Sequence, residues 1–133
     1  ISDHRRALKI QAALEKADGR HPADGRHPGD GAFASMRAKA LLAAGTLLHH
    51  QWHFEQAAPF LHKSLTLYQK LDDKGGIADA LYWLGRHAFR QKDYCEATRL
   101  LEQSLVLYQE ANNQYGISTT LRNLGDCQAF EGL

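Results

Sequence analysis

Residues Ala38–Ile77 and Ala78–Ile117 are two consecutive copies of a 40-residue unit, aligned without insertion and identical at 14 of 40 positions. The shared residues are mostly apolar or small: Ala40/Ala80, Leu41/Leu81, Gly45/Gly85, Ala57/Ala97, Leu61/Leu101, Leu65/Leu105, Leu67/Leu107 and Tyr68/Tyr108. A third copy starts at Ser118, where Leu121, Leu124 and Gly125 stand in the places of Leu81, Leu84 and Gly85. Such a unit cannot bury its apolar face alone, so neighbouring copies are expected to stack. The repeat points to binding rather than chemistry and leaves the partner unnamed.

Each copy divides into two helical stretches. In the second, Ile77, Ala80, Leu81, Leu84 and Ala88 form one face of a first helix, and Tyr94, Ala97, Leu101, Leu105 and Tyr108 form the stripe of a second. The small Gly85 and Ala97 let the two backbones approach closely. Expected helices run from about Ala32 to Gln51, Phe54 to Leu71, Gly76 to Gln91, Tyr94 to Ala111, and onward from near Gly116. Asp93-Tyr94-Cys95-Glu96 has the form of a capping box, and Asp72-Asp73-Lys74 and Asn112-Asn113-Gln114 supply turn formers and N-caps. No segment reads as strand. The expected fold is an all-α right-handed superhelical array of antiparallel helix pairs.

The organisation that follows is residues 1–16 as the second helix of an earlier repeat, 17–31 as a loop, 32–77 and 78–117 as full repeats, and 118–133 as the first helix of a third. Residues 3–16 place Ala7, Ile10, Gln11 and Leu14 at helical spacing with a basic outer face. Residues 17–31 repeat ADGRHP in tandem and hold four of the eleven glycines and two of the three prolines, so they read as an exposed loop. A chain that starts at Ile1 and stops inside a repeat is expected to be a piece of a longer array.

The charge is nearly balanced, 16 basic against 15 acidic side chains, which gives no reason to expect nucleic acid or an anionic membrane as partner. No apolar run approaches the ~20 residues of a membrane helix. Cys95 and Cys127 occupy unrelated positions in their repeats and are expected to be reduced, mostly packed thiols of a cytoplasmic protein.

The pattern resembles the tetratricopeptide repeat. Leu81-x2-Leu84-Gly85-x2-Ala88 followed by Ala97-x3-Leu101, with the matching Leu41, Ala44, Gly45, Leu48, Ala57 and Leu61, is similar to that family's signature. The period is 40 rather than the family's ~34, the closing Pro is absent, and the aromatic signature positions are aliphatic or polar. This longer form resembles the helical arrays of bacterial signal-transduction ATPases and transcription regulators. The resemblance implies a non-catalytic module that binds a protein or peptide segment, or a neighbouring domain, in a concave groove. The alternative it leaves open is a small-molecule sensor controlling an attached ATPase or DNA-binding domain. Further repeats, or self-association through the chain ends, are implied as additional contacts.

In such an array the groove is lined by the face of each first helix turned away from its partner. Helical geometry then assigns Asp79, Tyr82, Arg86 and Arg90 to that face, with Trp83 and Phe89 flanking, and Lys39 and His49 before and Arg122 and Asp126 after. The candidate partner-binding residues are Lys39, His49, Tyr82, Arg86, Phe89, Arg90, Arg122 and Asp126. The family's two-carboxylate clamp of Lys and Asn is not carried over: Arg122-Asn123 resembles it, but Leu42, Thr46, Tyr82 and Arg86 replace it in the earlier copies. His49 and His53 have the spacing of a zinc pair, yet nothing completes a site, and a solvated helix end is expected. No catalytic constellation, metal or cofactor is expected.

Overall fold

The computed structural model describes residues 5–10 and 30–132. Among these residues the secondary structure is helical, joined by short turns. Helix α1 is seen over residues 5–10. It is followed by α2 (Asp30–His50), α3 (Phe54–Leu71), α4 (Lys74–Arg90), α5 (Tyr94–Glu110) and α6 (Gln114–Glu131). The rest of the first expected helix and most of the 17–31 loop lie outside the described residues. Asp30 and Gly31 belong to α2, so that helix starts inside the segment expected to be loop. The chain forms two compact units, Ile1–Leu71 and Asp72–Leu133.

Local chemistry sets the helix ends. Asp73 accepts a hydrogen bond from the Gly76 amide at 3.1 Å, Asp93 from Glu96 at 3.2 Å, and Asn113 from Gly116 at 3.0 Å. Each satisfies an amide that the first turn leaves orphaned. These caps explain why α4 and α6 begin at Lys74 and Gln114, ahead of the glycines expected to start them. Glu96 completes no reciprocal capping box: its carboxylate takes the Arg99 Nε–H at 2.6 Å.

The turns after α2, α4 and α5 share one design. Trp52, Lys92 and Asn112 adopt left-handed φ values of 65°, 65° and 58°. The amide that follows each reaches back to the helix: His53 to the Leu48 carbonyl at 2.8 Å, Asp93 to Ala88 at 3.0 Å, and Asn113 to Tyr108 at 2.9 Å. These are Schellman closures, and the residue that closes one helix starts the next. Links this short force α3 to run antiparallel to α2, and α5 to run antiparallel to α4 and α6.

The first unit packs α2 against α3. Ala7, Leu41, Ala44, Leu48, Ala57 and Phe60 form its buried cluster, so α1 also joins this core. The second unit packs α5 against both α4 and α6 around Ala78, Tyr82, Ala88, Ala97, Leu101, Tyr108 and Cys127. At the close approach of each pair a glycine is required. A Cβ at Gly45 would stand 2.6 Å from Leu61 Cδ2, and one at Gly85 would stand 2.8 Å from Leu101 Cγ. Buried Ser64 and Ser104 donate across the pairs to the carbonyls of Ala38 (3.0 Å) and Ala78 (2.8 Å).

Candidate functional site

In the second unit, α4 carries two kinds of residue. Its Ala80, Leu81, Leu84, Gly85 and Ala88 are buried, as their helical spacing anticipates. Its other side meets α6. The Tyr82 hydroxyl accepts a hydrogen bond from Asn123 Nδ2 at 3.0 Å, and Phe89 packs edge-on against Phe130 at 5.3 Å. Both contacts join residues 41 positions apart, so the two helices lie side by side and run in the same direction. Two first helices of successive repeats are thus brought together.

This arrangement corrects the expected orientation of Tyr82. It was assigned to the outward face but is only 8% exposed and belongs to the buried cluster. The reason is that α4 has two packed sides, one for its pair partner and one for α6. Asn123 also donates to the Thr119 carbonyl at 2.7 Å, which fixes its amide beside α4. Tyr82 in turn makes an edge contact with Trp83 at 5.5 Å.

Arg86 is half-buried, and its guanidinium lies 4.9 Å from the Trp83 ring centroid and 5.9 Å from that of Tyr82. A guanidinium over two aromatic faces keeps its charge while losing freedom, the state in which an Arg is best prepared to recognise a carboxylate. Arg90, one turn further, is exposed, as are Arg122 and Asp126 on α6. Phe89 is half-buried in a ring cluster with Tyr94 (5.4 Å) and Phe130, and Phe130 remains 48% exposed.

Lys39 and His49 stand on α2, in the other unit. Lys39 is exposed. His49 is 4% exposed, against the expected outward placement and solvated helix end, because its ring packs on Phe54 at 4.8 Å. His50 beside it is exposed. Among the described residues no three His, Cys, Asp or Glu side chains converge as metal ligands.

The sequence pattern placed Asp79 outward, offered Asn123 only as part of a peptide clamp that is not carried over, and did not single out Phe130. Asp79 is half-buried and accepts the Tyr108 hydroxyl proton at 2.5 Å. Burial raises its carboxyl above the ordinary value of 3.8; the Tyr108 bond acts against this, and Asp73 adds to it. Burial, and then the bond to Asp79, raise the Tyr108 phenol above its ordinary 10.0. The signal for Asn123 and Phe130 was their distance of 41 residues from Tyr82 and Phe89, one more than the repeat. Cys127 is buried, and burial raises its thiol, whereas Cys95 is exposed rather than packed. No described helix is long and apolar enough to cross a membrane.

No protein-family model matches this chain, and no curated protein matches it.

Proposed function

We propose that this chain is part of a tetratricopeptide-like solenoid, a non-catalytic interaction module whose α4–α6 face binds an acidic protein segment. The observation that carries the reading is Arg86 held over Trp83 and Tyr82 on a helix that lies beside its counterpart from the next repeat. Exposed Arg90 and Arg122 extend the positive charge along both helices, while Phe89 and Phe130 supply apolar area at one end. Buried Tyr82 acts as a support for Arg86 and Asn123 rather than as a contact residue. Bidentate Arg–carboxylate pairs supply the orientation, and ring-stacked Arg is a residue type that dominates interface energies. Exposed Asp126 would disfavour an acidic residue directly opposite it and so help set the register of a bound segment.

The test is selection of the full chain against a displayed library of random peptides. The reading expects enriched peptides to carry Asp or Glu beside an apolar residue. Arg86→Ala and Arg122→Ala should weaken such a peptide in calorimetry, Arg86→Ala by about 2 kcal/mol as a hot-spot residue. Peptides without acidic residues, or unchanged affinity in variants with parental helical circular dichroism, would move the site off this face.

A further inference from the structure

Helix α6 repeats the face that α2 and α4 bury against their pair helices, but among the described residues it packs only on α5 and α4. The buried form of that face occurs twice in this chain. A leucine of the pair helix lies over a glycine of the first helix, Leu61 over Gly45 and Leu101 over Gly85, so close that a Cβ would collide. On α6 the same position is Gly125, where a Cβ would meet nothing within 4 Å. Leu121, one turn earlier on the same side, is exposed, whereas its counterparts Leu41 and Leu81 are buried. Ser118 and Gln128 continue this side of the helix in either direction and are exposed as well. A leucine and an open glycine thus share one uncovered surface.

That surface is complementary to itself. Leu121 lies two residues before position 123 and Gly125 two after; Ser118 lies five before and Gln128 five after. An antiparallel second α6, related by a two-fold axis beside residue 123, sets each Leu121 over the other copy's Gly125 and each Ser118 against the other copy's Gln128. The leucine-over-glycine contact of the two helix pairs is then made twice, and hydroxyl meets amide as donor and acceptor. Charge agrees with the same axis. Exposed Arg122 and Asp126 stand one turn apart on one flank of the stripe. The two Arg122 lie near the axis, each with the other copy's Asp126 on its outer side, which gives two reciprocal ion pairs. A parallel, in-register pair would instead match leucine with leucine and Arg with Arg.

We propose that this chain forms an antiparallel dimer through the open face of α6, the occupant of that face being α6 of a second copy. The inference does not rest on peptide binding by the α4–α6 face and shares with it only Arg122 and Asp126. One pair of 18-residue helices is small beside a standard protein interface, so the chain is monomeric when dilute and dimeric when concentrated.

Sedimentation equilibrium of the full chain over a wide concentration series tests this. The expected result is a monomer–dimer equilibrium with no larger species, because a two-fold contact uses up the face on both copies. Leu121→Glu and Gly125→Leu alter exposed positions and should keep the parental circular dichroism. Each should raise the dimer dissociation constant at least about tenfold, the scale of a hot-spot contact. Arg122→Asp should weaken the dimer, and adding Asp126→Arg should restore it, since the charges then pair the other way round. A chain that stays monomeric and instead takes up a synthetic peptide of residues 94–111, which carries the α5 stripe, assigns the face to a different helix and overturns the proposal. So do a monomer that binds neither, growth beyond the dimer, unchanged association in Leu121→Glu, or an Arg122→Asp defect that Asp126→Arg does not repair.

Discussion

The α2–α3 and α4–α5 pairs are two answers to one template. Both bury a serine that donates to a carbonyl 26 residues earlier, both bring a glycine under a leucine, and both close their turn through a left-handed residue followed by the next helix. They differ wherever the template does not dictate packing. Pro59 sits inside α3 and removes an amide from the helix ladder, where α5 has Arg99 paired with Glu96. Lys39 is replaced by Asp79, which Tyr108 engages. Exposed His62, Lys63 and Lys70 of α3 become Glu102, Gln103 and Glu110 of α5. Selection on the interior is therefore shared, and the surfaces are individual. A functional residue in a repeat array is best sought where the copies disagree, not where they match.

The largest effect that can challenge the comparison comes from the residues the copies share. Leu61 and Leu101 are both fully buried against the glycine of the opposite helix. Leu61→Ala and Leu101→Ala should each cost about 2–5 kcal/mol, from lost burial plus the cavity left behind. Urea denaturation followed by circular dichroism reads this directly. A cost below about 1 kcal/mol in one copy only, far under the usual range for a core leucine, would mean that the pairs are not packed alike.

How far the sequence reached follows the same division. Helix bounds, turns and caps were readable because each depends on residues within a few positions: a carboxylate or amide side chain at the cap, a small residue at the crossing. The 3.6-residue period also placed the α4 residues that face α5. It failed at Tyr82, because a single apolar stripe describes one neighbour and α4 has two, and at Asp79, because a long side chain from α5 reaches past the stripe. Tyr82 turns inward only because α6 brings Asn123 to it, and Asp79 is half-buried only because Tyr108 reaches it from α5. His49 escaped for a similar reason: its burial depends on Phe54, on the far side of a turn. Contacts between elements far apart in sequence leave no periodic trace.

A smaller effect, with opposite signs at equivalent positions, sharpens the comparison within the second unit. Gly85 and Gly125 are the same template residue 40 positions apart. A Cβ at Gly85 would collide with Leu101, whereas one at Gly125 would meet nothing within 4 Å. Leu121 tells the same story: it is 51% exposed, against 1% for Leu41 and 7% for Leu81. Gly85→Ala should therefore lose about 1–2 kcal/mol, since overpacking exceeds the gain in helix propensity. Gly125→Ala should gain up to about 1 kcal/mol from propensity alone. Thermal melts of the two single variants decide it; the same sign in both would show that crowding at the α4–α5 crossing is not what selects glycine there.

The smallest effect tests the polar difference between the copies, Asp79 against Lys39. The Asp79 carboxyl is raised above 3.8 chiefly by burial, so between that value and its raised one the native state holds more protons than the unfolded chain. Stability contributed by this group is present at the acidic end and is lost as pH rises through that window. Tyr108 acts in the same sense at higher pH: above about 10 the unfolded phenol ionises while the native one does not, and stability falls again. Asp79→Asn keeps an oxygen that accepts from Tyr108 and removes the titration. Its urea midpoint should gain on that of the parent as pH is taken from 3.5 towards 8, by about 1 kcal/mol or less, the scale of a single hydrogen bond. Tyr108→Phe should instead lower stability across that range, because it strips a half-buried carboxylate of its donor. If Asp79→Asn falls behind the parent as pH rises, the charged carboxylate is favoured in the native state and the hydrogen bond outweighs burial. The second copy would then have gained an ion-stabilising contact where the first carries a lysine, rather than a partly buried acid held by a tyrosine.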